Sequence, residues 1–155
     1  MLTLELETVD PRRIAEDAVD AYRSAADEAG VRLELVVGED TPATMDADAV
    51  RLTEVLANLL TNAIRHGPAG TSVTVRIRSE GRDVVFEVDD DGPGIPNDQM
   101  PFVFDRFVAS ADTGGTGLGL AIAKRLVEAH GGTIEAITPS GGGTHMRVQI
   151  PSGRP

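Results

Sequence analysis

Three short stretches carry residues whose types and spacing could do chemistry. The first is Thr113-Gly-Gly-Thr-Gly-Leu-Gly-Leu120, in which Gly115, Thr116, Gly117, Leu118, Gly119 and Leu120 lead from a glycine-rich turn into an amphipathic segment. Glycines without a Cβ let the backbone approach a ligand, and a helix starting at Leu118 leaves its first N–H groups without intrahelical acceptors. Those donors and the positive helix end favour an anion, so the stretch is a candidate phosphate cradle; taken alone, it reads equally well as a flexible entry to a helix. The second is Glu54, Asn58 and Asn62, continued by Arg65 or His66. Asparagine is a poor residue inside a helix, so two of them one turn apart form either a solvated face or a pair of carboxamides aimed at a hard cation. The third is Asp89-Asp90-Asp91-Gly92-Pro93-Gly94-Ile95. It lacks the spacing of the usual calcium loop, and the other reading is a single carboxylate accepting a hydrogen bond from an amine.

These groups need elements to position them. Alternation of Leu2, Leu4 and Leu6 with polar residues predicts a first strand. Asp10-Pro11 supplies a cap and a first-turn proline for a helix whose stripe is Ile14, Ala18, Tyr22, Ala25 and Ala29, ending before Gly30. Val31, Leu33, Leu35 and Val37 predict a second strand, closed by the turn residues 38–42. A second helix runs from Asp46 or Asp48 to His66, stopped by Gly67-Pro68, with Val50, Val55, Leu56, Leu59, Leu60, Ala63 and Ile64 as its apolar face. A hairpin of Val73, Val75, Ile77 and Val84, Phe86, Val88 then runs straight into the aspartates. Phe102, Phe104 and Phe107 read either as an anchor for the base of a loop or as a core cluster. Leu118, Ala121, Ile122, Leu126 and Val127 mark a third helix capped by Gly131-Gly132, and residues 133–138 and 144–150 form a last hairpin.

A chain of 155 residues with 41% hydrophobic content suits one globular domain, residues 1–155, with a real core. A net charge of −11 without any basic run argues against nucleic acid and against anionic membrane as partners, and a polyanionic ligand would need a metal ion and a few placed cations. The absence of cysteine removes thiolate metal sites and disulfides and fits a reducing compartment. No apolar run reaches membrane-spanning length.

In order, Asn58-x-x-x-Asn62, Asp90-x-Gly92-x-Gly94, Phe104-Asp-Arg-Phe107, Gly115-x-Gly117-x-Gly119 and Gly143-Thr144 resemble the boxes of the ATP-binding catalytic domain of sensor histidine kinases. The resemblance covers about residues 10–151. It implies an α/β (α+β) two-layer sandwich, a mixed sheet covered on one face by helices, with a flexible lid over the nucleotide. The wider superfamily includes gyrase-type, heat-shock chaperone and mismatch-repair ATPases and anti-sigma serine kinases. The serine kinase is the alternative reading. The gyrase type places a glutamate base where this chain has Asn58.

The resemblance assigns ATP and Mg2+ as cofactors and phosphoryl transfer to a histidine as the chemistry. Asp90 matches the acceptor of the adenine amino group, and Asn62 matches the magnesium ligand, with Asn58 one turn earlier. Arg65 and His66 fall near the phosphates, the backbone around Gly117, Leu118 and Gly119 holds phosphate oxygens, and Thr144 reaches adenine through water. Asn58, Asn62 and Arg65 form the implied catalytic set; Gly92, Gly94, Ile95, Phe104, Arg106, Gly115, Thr116 and Leu120 complete the ATP-binding set. The implied partners are the protein's own dimerisation and phosphoacceptor hairpin and a downstream response regulator, with the domain cytoplasmic, belonging to a membrane-bound sensor and not itself touching membrane. None of His66, His130 and His145 has the acceptor surroundings of the family. One departure stands out: Val108-Ala-Ser-Ala-Asp-Thr-Gly114 lacks the arginines that the family's lid often carries, which leaves a γ-phosphate clamp to Arg106 or Arg65.

Overall fold

The computed structural model describes residues 2–105 and 118–153. Its elements in chain order are β1 (Glu7–Val9), α1 (Pro11–Ala29), β2 (Arg32–Val37), β3 (Met45–Ala47), α2 (Ala49–His66), β4 (Ser72–Glu80), β5 (Asp83–Asp90), a single 3-10 turn (Met100–Phe102), α3 (Gly119–Ala129), β6 (Thr133–Ile137) and β7 (Thr144–Pro151). Five strands form one sheet in the order β2-β4-β5-β7-β6, and β1 pairs with β3 in a separate two-stranded ribbon. β2 runs parallel to β4 while the other neighbours are antiparallel, so the sheet is mixed, as expected. All three helices lie against one face of it.

The strand period explains the layering. Val75, Val88 and Met146 stand side by side in register, as do Ile77, Phe86 and Val148, and all six are buried beneath the helices. From the helix side come Ile14, Val19, Leu52, Leu56, Leu59, Leu126 and Val127. The opposite sheet face is charged and held by ion pairs between neighbouring strands, among them Arg78 with Glu87 and Arg76 with Asp89.

Several expectations need correcting. The first strand begins at Glu7, after the Leu2–Leu6 alternation, because its partner β3 offers only three residues and the register couples Glu7 to Ala47 and Val9 to Met45. That short β3 left no periodic signal. Ala25, Val50 and Ile122 are exposed, with Val50 at 73%, whereas Ala26, Leu52 and Ala123 take the buried places. Of the expected α1 stripe, Ile14 and Ala18 are buried and Tyr22 and Ala29 pack partly buried against the core, and the buried set adds Ala15, Val19 and Ala26.

Asp48, not Asp46, caps α2: its Oδ1 accepts from the Arg51 N–H at 3.1 Å, and its Oδ2 accepts from the Glu5 N–H at 2.9 Å. One buried carboxylate thus ties the N-terminal segment to the start of α2. His130, just past α3, accepts from the Asp48 N–H through Nε2 at 3.1 Å, with Nδ1 2.8 Å from the Leu126 carbonyl. Burial pushes the Asp48 carboxyl up, but the N–H donors of Glu5 and Arg51, with His130 and Arg51 nearby, outweigh it and hold it below the usual 3.8. Its stabilisation is therefore complete above the unfolded value and is lost as pH falls through the lower folded value. Asp48→Ala should reduce the unfolding free energy in urea at pH 7 by about 1–2 kcal/mol, and Asp48→Asn by less. The gap between wild type and Asp48→Asn should close on acidification below 3.8. Equal midpoints for all three proteins at pH 7 would show that neither contact matters.

Candidate functional site

α2 and α3 pack antiparallel, since Asp48 meets His130 at one end and Asn58 meets Gly119 at the other. A Cβ built on Gly119 would stand 3.8 Å from Asn58 Oδ1 and 3.9 Å from its Cγ, so the carboxamide lies directly against the start of α3. The side-chain nitrogen of Asn58 is buried and has no hydrogen-bond partner among the described residues. A buried amide donor without an acceptor costs about 1–3 kcal/mol unless something else supplies the acceptor. The adjoining helix start has no side-chain cap and no acidic residue in its first turn. The helix start offers N–H donors that suit an anionic oxygen, and the Asn58 carboxamide lies beside them with its oxygen toward Gly119.

Asn62 follows Asn58 by one turn on the same helix and is likewise partly buried; Arg65, in the last turn, is exposed. No group of three or more His, Asp or Glu side chains among the described residues could hold a metal by itself. A magnesium ion does not need one, because it keeps waters and uses substrate phosphates alongside one or two protein oxygens. A lone carboxamide beside an anion cradle fits that pattern.

The pleat sorts the three aspartates. Asp90 pairs with Val73 on β4 and with Thr144 on β7, which puts it on the helix-covered face, two residues beyond Val88. Its Oδ1 accepts from the Gly92 N–H at 3.0 Å. Asp89 faces the other side, where it meets Arg76 and His145. Asp91 is structural: its Oδ1 accepts from the Ser72 N–H at 2.7 Å, joining this turn to the loop that follows α2. Thr144 beside Asp90 is buried. The neighbouring turns close tightly over this end, since a Cβ on Gly143 would stand 2.1 Å from the Asp90 carbonyl oxygen and one on Gly94 2.9 Å from that of Gly143. Both glycines also have left-handed φ, at +84° and +81°.

Ile95 and Phe104 are partly buried against the core, as is Leu120 at the start of α3. The Lys124 ammonium sits over the Phe104 ring at 5.9 Å from its centre, a cation–π contact that sequence spacing did not reveal. Phe102 is 52% exposed, so the phenylalanines do not form one core cluster; Phe104 is the seated member of the described pair. Arg106, Gly115, Thr116 and Gly117, the expected lid and the His66 side chain lie outside the described residues. The structure thus brings Asn58 to Gly119, and separately binds Asp90, Gly92, Gly94 and Thr144 into one corner.

A family model described as histidine kinase-, DNA gyrase B-, and HSP90-like ATPase matches residues 47–154. The chain is 40% identical over 153 residues to the probable sensor histidine kinase TcrY of Mycobacterium tuberculosis, covering 96% of this chain and 31% of TcrY. It spans well under half the length of the curated relatives it matches. The catalytic domain of histidine kinase ThkA shares the fold at a TM-score of 0.88, with 20% identity and 97% of both chains covered. Full-length ShkA, solved in complex with AMPPNP, aligns at a TM-score of 0.87 with 30% identity, over 97% of this chain and 32% of that one. With that model running from the end of β3 to beyond β7, across every element that carries the site, the chain belongs to the histidine kinase-, DNA gyrase B- and HSP90-like ATPase family.

Proposed function

We propose that this chain is the Mg-ATP-binding catalytic domain of a two-component sensor histidine kinase and donates the γ-phosphoryl group of ATP to a histidine on a separate dimerisation hairpin. The observation that carries the reading is the Asn58 carboxamide, lying against the start of α3 with its buried nitrogen lacking a hydrogen-bond partner among the described residues. Asn58 and the N–H groups at Leu118 and Gly119 bind phosphate oxygens, and Asp90 accepts from the adenine amino group. Guanine would turn a carbonyl toward Asp90, opposing two acceptors, a loss of about 1.5–3 kcal/mol for a hydrogen bond to a charged group. Asn62 is the residue that would hold magnesium, which when bound neutralises charge on the transferring phosphoryl group. Arg65, exposed at the end of α2, or Arg106 supplies the cation for that phosphate, since the lid sequence 108–114 has none.

The name of a relative supports a histidine acceptor over the serine-kinase alternative, since TcrY is described as a probable sensor histidine kinase. A response regulator follows as the downstream partner. No helix among the described residues is long and apolar enough to cross a membrane, which accords with a kinase portion in the cytoplasm.

Three outcomes are expected. Mg-ATP at about 100 times its Kd should raise the melting temperature through roughly 2.7 kcal/mol of binding linkage, and Mg-GTP should do far less. An equal response to both nucleotides would refute the role of Asp90. Asn62→Ala should retain adenine binding yet lower phosphoryl transfer by about 100-fold or more, within the range for loss of a transition-state charge contact. Transfer at the wild-type rate would remove Asn62 from the metal. Mixed with the histidine-bearing hairpin of its own sensor protein and labelled ATP, the chain should yield acid-labile phosphohistidine; acid-stable phosphoserine on a protein partner would favour the serine-kinase alternative.

A further inference from the structure

We propose that His145, on the sheet face away from the nucleotide site, is a positioning residue whose protonated ring holds the Asp90 corner in its binding form. This rests on the nucleotide reading above. His145 stands opposite Asp89 in the β5–β7 register, and the next pair along is Asp90 with Thr144. Its Nε2 lies 2.9 Å from a Glu87 carboxylate oxygen, and its Nδ1 meets an Asp89 carboxylate oxygen. Only the imidazolium has an N–H for each. A neutral ring turns one lone pair on a carboxylate, so one of the ring's two contacts with β5 becomes repulsive. The weakened position would be the one immediately before Asp90, and the close approach of Gly143 to the Asp90 carbonyl leaves this corner little tolerance.

The surroundings are charged on every packed strand. From β4, Arg76 reaches Asp89 at 3.3 Å and Arg78 reaches Glu87 at 2.9 Å. Two residues along β7, Arg147 faces Glu80 and Glu135, and β6 places Ile137 opposite His145. Each carboxylate beside His145 therefore already holds one arginine, and the ring supplies the remaining donor to each. The helix layer lies on the other side of the sheet, so the ring acts on Asp90 only through the strand pair.

The test is Mg-ATP affinity between pH 6 and 8.5, where histidines titrate, for wild type, His145→Lys and His145→Gln, with folding of each checked by circular dichroism. Ionisation of ATP affects all three alike and cancels in the ratio of variant to wild-type Kd. Wild type should match His145→Lys at pH 6 and approach His145→Gln at pH 8.5, a divergence of roughly five- to tenfold, the lower end of coupling between sites. By reciprocity, saturating Mg-ATP should raise the midpoint of the wild-type His145 ring titration, followed by NMR, by the logarithm of the same factor. That second reading stands even where a variant fails to fold. Parallel profiles with an unmoved ring midpoint, while ATP still binds, would overturn the proposal and leave the nucleotide reading intact. No binding by folded wild type at any pH would overturn the nucleotide reading, and this proposal with it.

Discussion

The structure depends on the antiparallel packing of α2 against α3. Leu52, Leu56 and Leu59 on one helix and Ala123, Leu126 and Val127 on the other are buried in the same core. Two approaches mark the register of this pair, the hydrogen bond from the Asp48 N–H to His130 at one end and the close packing of Asn58 beside Gly119 at the other. Burial supplies most of the energy, since each fully buried leucine is worth about 1.5–3 kcal/mol, whereas a hydrogen bond contributes nearer 1 kcal/mol. These approaches bear on alignment instead: a slip of one turn would move Asn58 away from the α3 start and strand the Asp48 N–H.

The sheet performs a second sorting. Three consecutive carboxylates would repel if gathered in one place, but the pleat sends Asp90 to the helix side and Asp89 to the charged face, while Asp91 bonds back to Ser72. A contiguous acidic run thereby becomes three separate jobs. The tight turns at Gly94 and Gly143 then close the corner around the one aspartate that faces the helices.

Much of this was legible from residues alone, for physical reasons. Regular periods identified α1, α2, α3 and the β4–β5 and β6–β7 hairpins, and Asp10-Pro11 marked the start of α1 correctly. The order of glycine and asparagine boxes carried the family resemblance. Short elements were not legible: β3 spans three residues, too few for alternation to register. Nor could helix phase be read to the residue, because Val50 and Ile122 continue an apolar pattern beyond the edge of the contact surface. Contacts distant in sequence were also invisible, as with His145 between Glu87 and Asp89 or Lys124 above Phe104. Spacing within a strand fixes which face a side chain takes, but its cross-strand partner depends on register, which the turn sets.

The proposed function requires one nucleotide to bridge the Asn58–Asn62 stripe, the start of α3 and the Asp90 corner. Paramagnetic broadening of amide signals by ATP complexed with Mn2+ maps the metal most directly. The strongest broadening is expected at Asn62, followed by Asn58 and Gly119, with the groove formed by Leu4, Leu6 and Pro151 at the far end of α3 unaffected. Broadening centred on that groove, or spread evenly over the acidic surface, would contradict it.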